Sequence, residues 1–321
     1  MTGRPRTVFF GSGAFAVPIL EALMAAPEIE LVAIVSTPDR PAGRRAELTQ
    51  TPVARRAAEI GLPLLQPVRL RDPDAATAIA HLRPGLGVLA DYGRIVPPAV
   101  LDIPPLGILN VHPSLLPRWR GAAPIPAAID AGDAETGVTL MRMDAGLDTG
   151  PIVAVERFPL DGTETGPGLE GRAAQAGAEL IARTLGSWVR GELTPSPQDD
   201  AEATLTRPLR RSDGWLAPTG SAVALERHVR AFQPWPGSFL ETQVGRVAIW
   251  SAEPAESATG DRPGTIVPDG TGLAFVASPG RLRLLDVQPA GGRRMTSAEL
   301  RRGRPGIVGP TRPGAWENPG R

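Results

Sequence analysis

From Thr7 to about Trp188, short apolar runs alternate with Ala- and Leu-rich helical stretches. The pattern predicts strands at Val8-Phe9-Phe10, Leu31 to Val35, Gly87 to Ala90 and Gly107 to Val111. It predicts helices from Ala16 to Ala25 and from Val53 to Ile60. Strands without alternation, separated by helices, imply an α/β domain whose parallel sheet is covered on both faces. Ligands of such sheets bind beyond the carboxyl ends of the strands. Asn110 stands at one such end, and Gly11 and Tyr92 follow two others. From Val223 the pattern changes. A short helix to Phe232 precedes β-rich runs at Val247 to Trp250, Gly264 to Val267, Leu273 to Val276 and Leu282 to Val287. Closely spaced short strands with Gly/Pro turns predict a small β-barrel.

Between these regions, Gly191 to Asp213 is polar and carries Pro195, Pro197, Asp199, Asp200, Arg207, Arg210 and Arg211. It predicts a basic linker. The expected organisation is a first domain over 1–190, the linker over 191–213, a second domain over 214–310 and a frayed Pro/Gly-rich tail over 311–321. A chain of 321 residues fits two domains.

Composition narrows the chemistry. With 42% apolar residues the chain can bury a core. It has no Cys, which removes disulfides, thiolate metal sites and Cys nucleophiles. It has no Lys either, so Schiff bases and a P-loop Lys are excluded, and any phosphate site must be built from Arg. Formal net charge is zero, so a nucleic-acid partner would be held by local clusters. Val8 to Ala26 is apolar but holds Pro18, Glu21 and two glycines, and it lacks the order of a secretory signal. The expectation is a soluble cytoplasmic protein with no membrane partner.

One constellation stands out: Asn110-Val111-His112-Pro113-Ser114-Leu115-Leu116-Pro117, then Asp148 in a Gly-rich loop. Residues two apart on an extended chain project to the same side, so Asn110 and His112 face one pocket. His carries a proton near neutral pH, Asn offers a neutral donor, and Asp orients or charges the His. This is an acid/base set for acyl transfer without a covalent nucleophile. The three histidines form no ligand cluster, so no metal is expected.

A second motif, Gly11-Ser12-Gly13-Ala14-Phe15-Ala16, follows a strand and opens a helix, close to the dinucleotide fingerprint. That fingerprint needs an acidic residue closing the second strand. The strand here ends Val35-Ser36-Thr37. An NAD-dependent dehydrogenase is therefore the weaker alternative.

The run Arg118-Trp119-Arg120-Gly121-Ala122-Ala123-Pro124, with Gly132 to Val138 and Met143 to Gly150, resembles the methionyl-tRNA formyltransferase family, whose donor is 10-formyltetrahydrofolate. Arg230 to Gly237 and Leu284 to Pro289 resemble that family's carboxyl-terminal domain, an OB-like barrel. The His-x-Ser-Leu-Leu-Pro core by itself is similar to sugar-nucleotide formyltransferases too. They would not need the Arg loop or the appended barrel.

The resemblance implies roles. Asn110, His112 and Asp148 would be catalytic. Tyr92, Gly93, Arg94, Ile95 and Val96, with Ser114, Leu115, Leu116 and Pro117, would line the folate pocket, and the 92–96 backbone would hold the pterin. Gly11, Ser12, Gly13 and Phe15 would border the acceptor amine. The loop Pro38-Asp39-Arg40-Pro41-Ala42-Gly43-Arg44 resembles one that enters the tRNA acceptor stem, which makes Arg40, Arg44 and Arg45 tRNA contacts. Arg207, Arg210 and Arg211, with Arg293 and Arg294, would extend that track. Partners would be initiator methionyl-tRNA and folate, without an obligate protein partner. Two positions depart from the family. Glu47 stands where a basic residue is usual, and Asp91 where Ala is frequent.

Overall fold

The computed structural model describes residues 3–42 and 47–312, without the side chains of Ala42 and Glu47. Arg44 and Arg45 lie outside the described residues, as does the tail from residue 313 on. Two compact units are present. One comprises residues up to Pro124, Glu135–Pro159 and Glu170–Arg207. The other comprises Ile125–Ala134, Leu160–Leu169 and the residues from Pro208.

The first unit is built on a seven-stranded sheet. Its order is Ile152–Pro159, Glu135–Arg142, Ile108–His112, Leu86–Ala90, Arg6–Gly11, Glu30–Val35 and Leu64–Leu65. The last five run parallel, as the continuous apolar runs imply. The first two extend one edge, each antiparallel to its neighbour, beyond the purely parallel sheet expected. The edge strand Ile152–Pro159 has no buried residue. Its Glu156 and Arg157 break the apolar run that marks a strand.

Register aligns the carboxyl ends. Phe10 pairs with Val35, Gly11 with Ala90, and Leu89 with Asn110. On one face Val8, Phe10, Val35, Leu89 and Ile108 pack with Ile79, Tyr92 and Val100. On the other, helix Gly166–Val189 comes close through Gly177, where a Cβ would lie 2.8 Å from Val111 Cγ1. Any larger residue there would separate helix from sheet. Helix Pro52–Ile60 carries its signals in the sequence. Thr51 caps the Ala54 N–H at 3.0 Å, Pro52 is the first residue, and Gly61 closes it with φ +68°. The cap contributes about 1 kcal/mol.

The second unit holds an antiparallel sheet ordered Ser238–Thr242, Gly245–Ala255, Arg281–Pro289, Gly272–Val276, Thr265–Asp269 and Gly309–Pro310, with Met295–Thr296 paired to Arg281–Pro289. Register shifts near Ser251 bend the long strand, and Arg312 N–H donates to the Glu241 carbonyl at 2.8 Å. The chain thus returns to the first strand, making a partly closed barrel of the OB-like kind. Leu240, Val247, Ile249, Phe275, Leu282 and Leu284 fill it, covered by helix Ala222–Ala231. His228 on that helix faces Asp130 at 3.3 Å, and Arg230 donates to the Glu164 carbonyl at 2.7 Å. These contacts tie the two inserted segments to this unit.

Candidate active site

Asn110 and His112 project from strand Ile108–His112 and are buried at 6% and 5% exposure. Strand Glu135–Arg142 lies antiparallel beside it, with Asn110 opposite Met141 and His112 opposite Thr139. The loop that follows brings Asp148 onto both side chains. Asn110 Nδ2 donates to Asp148 Oδ1 at 3.3 Å, and His112 Nδ1 lies 3.7 Å from Asp148 Oδ2. The Gly121 N–H donates to Asp148 Oδ2 at 2.8 Å. The three residues read from the sequence meet at one point.

Their polarity is fixed by their partners. His112 Nε2 lies 3.0 Å from the Trp119 carbonyl, which only accepts, so Nε2 carries a hydrogen. Nδ1, facing Asp148, is then the nitrogen that exchanges a proton. The carboxylate likewise turns the NH₂ of Asn110 toward itself and uses one of two N–H donors. The second is left for a substrate oxygen. Asp148 (φ +53°) and Trp119 (φ +61°) both adopt the left-handed region. For Trp119 this costs roughly 1–2 kcal/mol, and for Asp148 less, because a short polar side chain tolerates the region. Both strained residues touch His112, a pattern that marks functional sites.

The signature loop is braced from within. The Leu116-Pro117 bond is cis, Ser114 Oγ donates to the Arg118 carbonyl at 2.7 Å, and Thr139 Oγ1 donates to the Ser114 carbonyl at 2.7 Å. It is also braced by residues assigned no role above. Residues 196–206 form a strap. Thr204 Oγ1 accepts from Trp119 N–H at 2.8 Å, and Leu205–Thr206 pairs in parallel with Arg120–Gly121. Gln198 and Asp200 hold the buried Arg120 guanidinium at 3.0 and 2.7 Å. Nothing in the polar composition of 191–213 distinguishes these residues from linker.

The 92–96 loop lies past the next strand end. The Tyr92 side chain turns inward, buried edge-on against Phe10, and burial pushes its hydroxyl up to about 12. Only its backbone remains for a ligand. Ile95 is 87% exposed, and the buried Nε of Arg94 has no hydrogen-bond partner. An exposed aliphatic side chain beside a partnerless donor suits a flat heterocycle with acceptor atoms, so the residues fit a folate.

The Gly-rich loop is bonded to the backbone at Asp91. The amides of Ser12 and Gly13 already donate to the Asp91 carbonyl, at 3.0 and 3.3 Å, so they are not free for a phosphate or ester oxygen. Phe15 is buried, at 3% exposure. A Cβ on Gly13 would fall 1.7 Å from Asp91 Oδ2, so any larger residue there displaces the Asp91 carboxylate from its present position. Where the dinucleotide fingerprint needs an acid, Thr37 donates to Ser12 Oγ at 3.1 Å and Ser36 bonds Thr51 at 2.7 Å. Of the arginines read as a tRNA track, Arg40, Arg207, Arg210 and Arg211 are exposed. Arg294 is bound to Asp286 at 2.8 Å, and Arg293 faces Glu299 at 3.5 Å. Among the described residues, no group of three or more His, Cys, Asp or Glu is placed to hold a metal, and no helix is long and apolar enough to cross a membrane.

Asp91 provides a pH prediction. Although the residue keeps an exposed edge, its carboxyl is desolvated against the Gly-rich loop and faces Glu170. Its pKa is raised to about 6, by burial first and Glu170 second. A carboxyl with a raised folded-state pKa stabilises the fold below the unfolded value and loses that contribution as pH climbs through about 6. Asp91→Asn removes the charge at similar volume. It should raise Tm at pH 8 by roughly 2–4 °C, a shift discounted to about 1 kcal/mol for partial solvation, and leave Tm nearly unchanged at pH 4.5. Equal shifts at both pH values in a thermal melt would contradict this origin.

The sheet, the strand-end acid/base set and the barrel define a formyl-transfer enzyme of two units. The formyl transferase family matches residues 5–185, and the carboxyl-terminal domain of formyl transferases matches 208–305. Methionyl-tRNA formyltransferase of Roseiflexus sp. (strain RS-1) is 46% identical over 93% of this chain and 92% of its own length. That of Halorhodospira halophila is 45% identical over 93% of this chain and 96% of its own. Among solved structures, the N-formyltransferase of Helicobacter canadensis, in complex with folinic acid and dTDP-3-aminofucose, shares the fold at a TM-score of 0.65 and 14% identity, over 87% of this chain and 99% of that one. The chain belongs to the methionyl-tRNA formyltransferase family.

Proposed function

We propose that the chain transfers the formyl group of 10-formyltetrahydrofolate to the free amine of methionyl initiator tRNA. The convergence of Asn110, His112 and Asp148 at the carboxyl edge of the sheet carries this reading. The amine must be neutral to attack. As it adds to the formyl carbon, negative charge grows on the formyl oxygen. The second N–H of Asn110 and the protonated ring of His112 stabilise that oxygen. Asp148, directly or through water, takes the proton from the attacking nitrogen; the tetrahedral carbon then breaks its bond to the donor nitrogen, which leaves with that proton as tetrahydrofolate while the formyl oxygen regains its double bond. The folate donor supplies the activated formyl group. The 92–96 and 114–117 segments bind and orient it.

Three further parts belong to the proposal. Residues 1–190 carry the chemistry, 191–213 connect and, through 196–206, brace the site, and 214–310 with the exposed arginines bind tRNA. The protein works in the cytoplasm. It requires no metal, membrane or obligate protein partner. Purified protein with labelled donor, offered charged initiator tRNA, charged elongator tRNA and amino-sugar nucleotides, tests the substrate. Formylation of the sugar alone would replace this reading.

Salt dependence tests the track. Because net charge is zero, affinity rests on local phosphate contacts and should fall steeply with salt. The Arg210→Ala/Arg211→Ala double variant should flatten the slope of log KM for charged tRNA by about one to two units. Arg44→Ala should also lower turnover, since it misplaces the amine, and Glu47→Lys should tighten binding. Parent-like values and slopes for all three would place the track elsewhere.

A further inference from the structure

We propose that Gln198 is a positioning residue: it locks the loop carrying Asp148 in the one backbone conformation that aims the carboxylate at His112 and Asn110. The inference rests on Asp148 acting in catalysis, as proposed above.

Asp148 sits at φ +53°, a left-handed conformation that Asp tolerates better than most residues and that its backbone partners here select. Its carboxylate is held by the Gly121 N–H, but its backbone is held by Gln198. The amide Nε2 of Gln198 donates to the Asp148 carbonyl at 2.8 Å and to the Gly150 carbonyl at 2.7 Å. A primary amide has two N–H donors, and both are spent on the carbonyls flanking Thr149. The side chain therefore reads the shape of the turn.

Its other end reaches the opposite wall of the site. Gln198 Oε1 accepts from Arg120 Nε at 3.0 Å, one residue beyond the Trp119 carbonyl that orients His112 Nε2. One side chain thus spans the segment that orients the His and the segment that presents the Asp. Gln198 is itself placed by its own chain. Ser196 exchanges two backbone bonds with Ile152, at 2.7 and 2.8 Å, and Asp200 binds the same Arg120 guanidinium at 2.7 Å. No other residue type supplies two donors and an acceptor at this length, apart from the amide. Glu has the same size and can still accept from Arg120, but it sets a carboxylate against two carbonyls.

The test uses the full-length protein with Gln198→Glu, Gln198→Leu and Asp148→Asn, and each Gln198 change combined with Asp148→Asn. Gln198→Glu should lower kcat about 30-fold or more, the scale of a misplaced catalytic group, with KM for donor and charged tRNA within about threefold of the parent. In the Asp148→Asn background the same change should cost less than about threefold further, because its route of action is already gone. If Gln198→Leu does not fold, Gln198→Glu, which keeps the volume and the Arg120 contact, decides. Losses that multiply in the double variant, a rise in KM alone, or kcat within twofold of the parent for Gln198→Glu beside an inactive Asp148→Asn would overturn the inference alone. Full activity of Asp148→Asn by itself would overturn the reading of the site, and this inference with it.

Discussion

Asp148→Asn, Asn110→Ala and His112→Ala are each expected to lower kcat by at least about 10²-fold, the scale of one acid/base or oxyanion group. The losses separate from folding to different degrees. Asn adopts the left-handed region more readily than most residues, and its carbonyl oxygen can still accept the Gly121 N–H that now binds Asp148 at 2.8 Å. Asp148→Asn should therefore melt within a few degrees of the parent, so its loss of turnover is chemical. His112→Ala strips the Trp119 carbonyl of its donor and should cost about 1–3 kcal/mol of stability as well. Single-turnover formylation, with thermal melts of each variant, checks both. If two of the three kept more than half of parental kcat, the assignment would fail.

Two of these residues are legible in the sequence because their geometry is local. Asn110 and His112 are two apart on a strand, and period two alone puts them on one side. Asp148 is legible only through the resemblance, since no short-range rule says that an antiparallel strand will carry its loop back to His112. Four of the five parallel strands were readable from continuous apolar runs; Leu64–Leu65, two residues long, was not. Strand Ile152–Pro159 was not, because an edge strand without buried residues has no core face to mark it. Helix Ser297–Gly303 had a readable start, Thr296 with Glu299 as a capping box, yet its seven residues leave too little periodicity to notice. Gln198 is the clearest limit. Its neighbours are Pro195, Pro197, Asp199 and Asp200, a composition that signals a linker, and its meaning comes from partners 50 and 48 positions away. The Asp91 carboxyl is a similar case. The departure from the family is visible, but its close approach to Gly13 appears only when the two meet in space.

The strap should betray itself through a glycine. Gly121 sits at φ +106°, and a Cβ there would lie 2.2 Å from the Thr206 carbonyl oxygen, a backbone atom that cannot swing aside as a side chain can. Thr206 is fixed in turn, donating to the Arg120 carbonyl at 3.1 Å and accepting from Ala123 N–H at 3.0 Å. Gly121→Ala must either push the strap off the signature loop or rotate Gly121 and take its N–H away from Asp148. Strain and overpacking together should cost more than about 2 kcal/mol, or upwards of roughly 4–8 °C in Tm. Turnover should fall more than about tenfold, because the displaced donor is one that holds the Asp148 carboxylate. Gly61→Ala is the control. It also has a positive φ, +68°, but nothing lies within 4 Å of its Cβ position, so only the left-handed penalty of roughly 1–2 kcal/mol remains and kcat should not change. The comparison isolates close approach from backbone preference. Should Gly121→Ala melt and turn over like Gly61→Ala, residues 196–206 would not be pressed against the site, and the bracing of Asp148 by the strap would have to be abandoned.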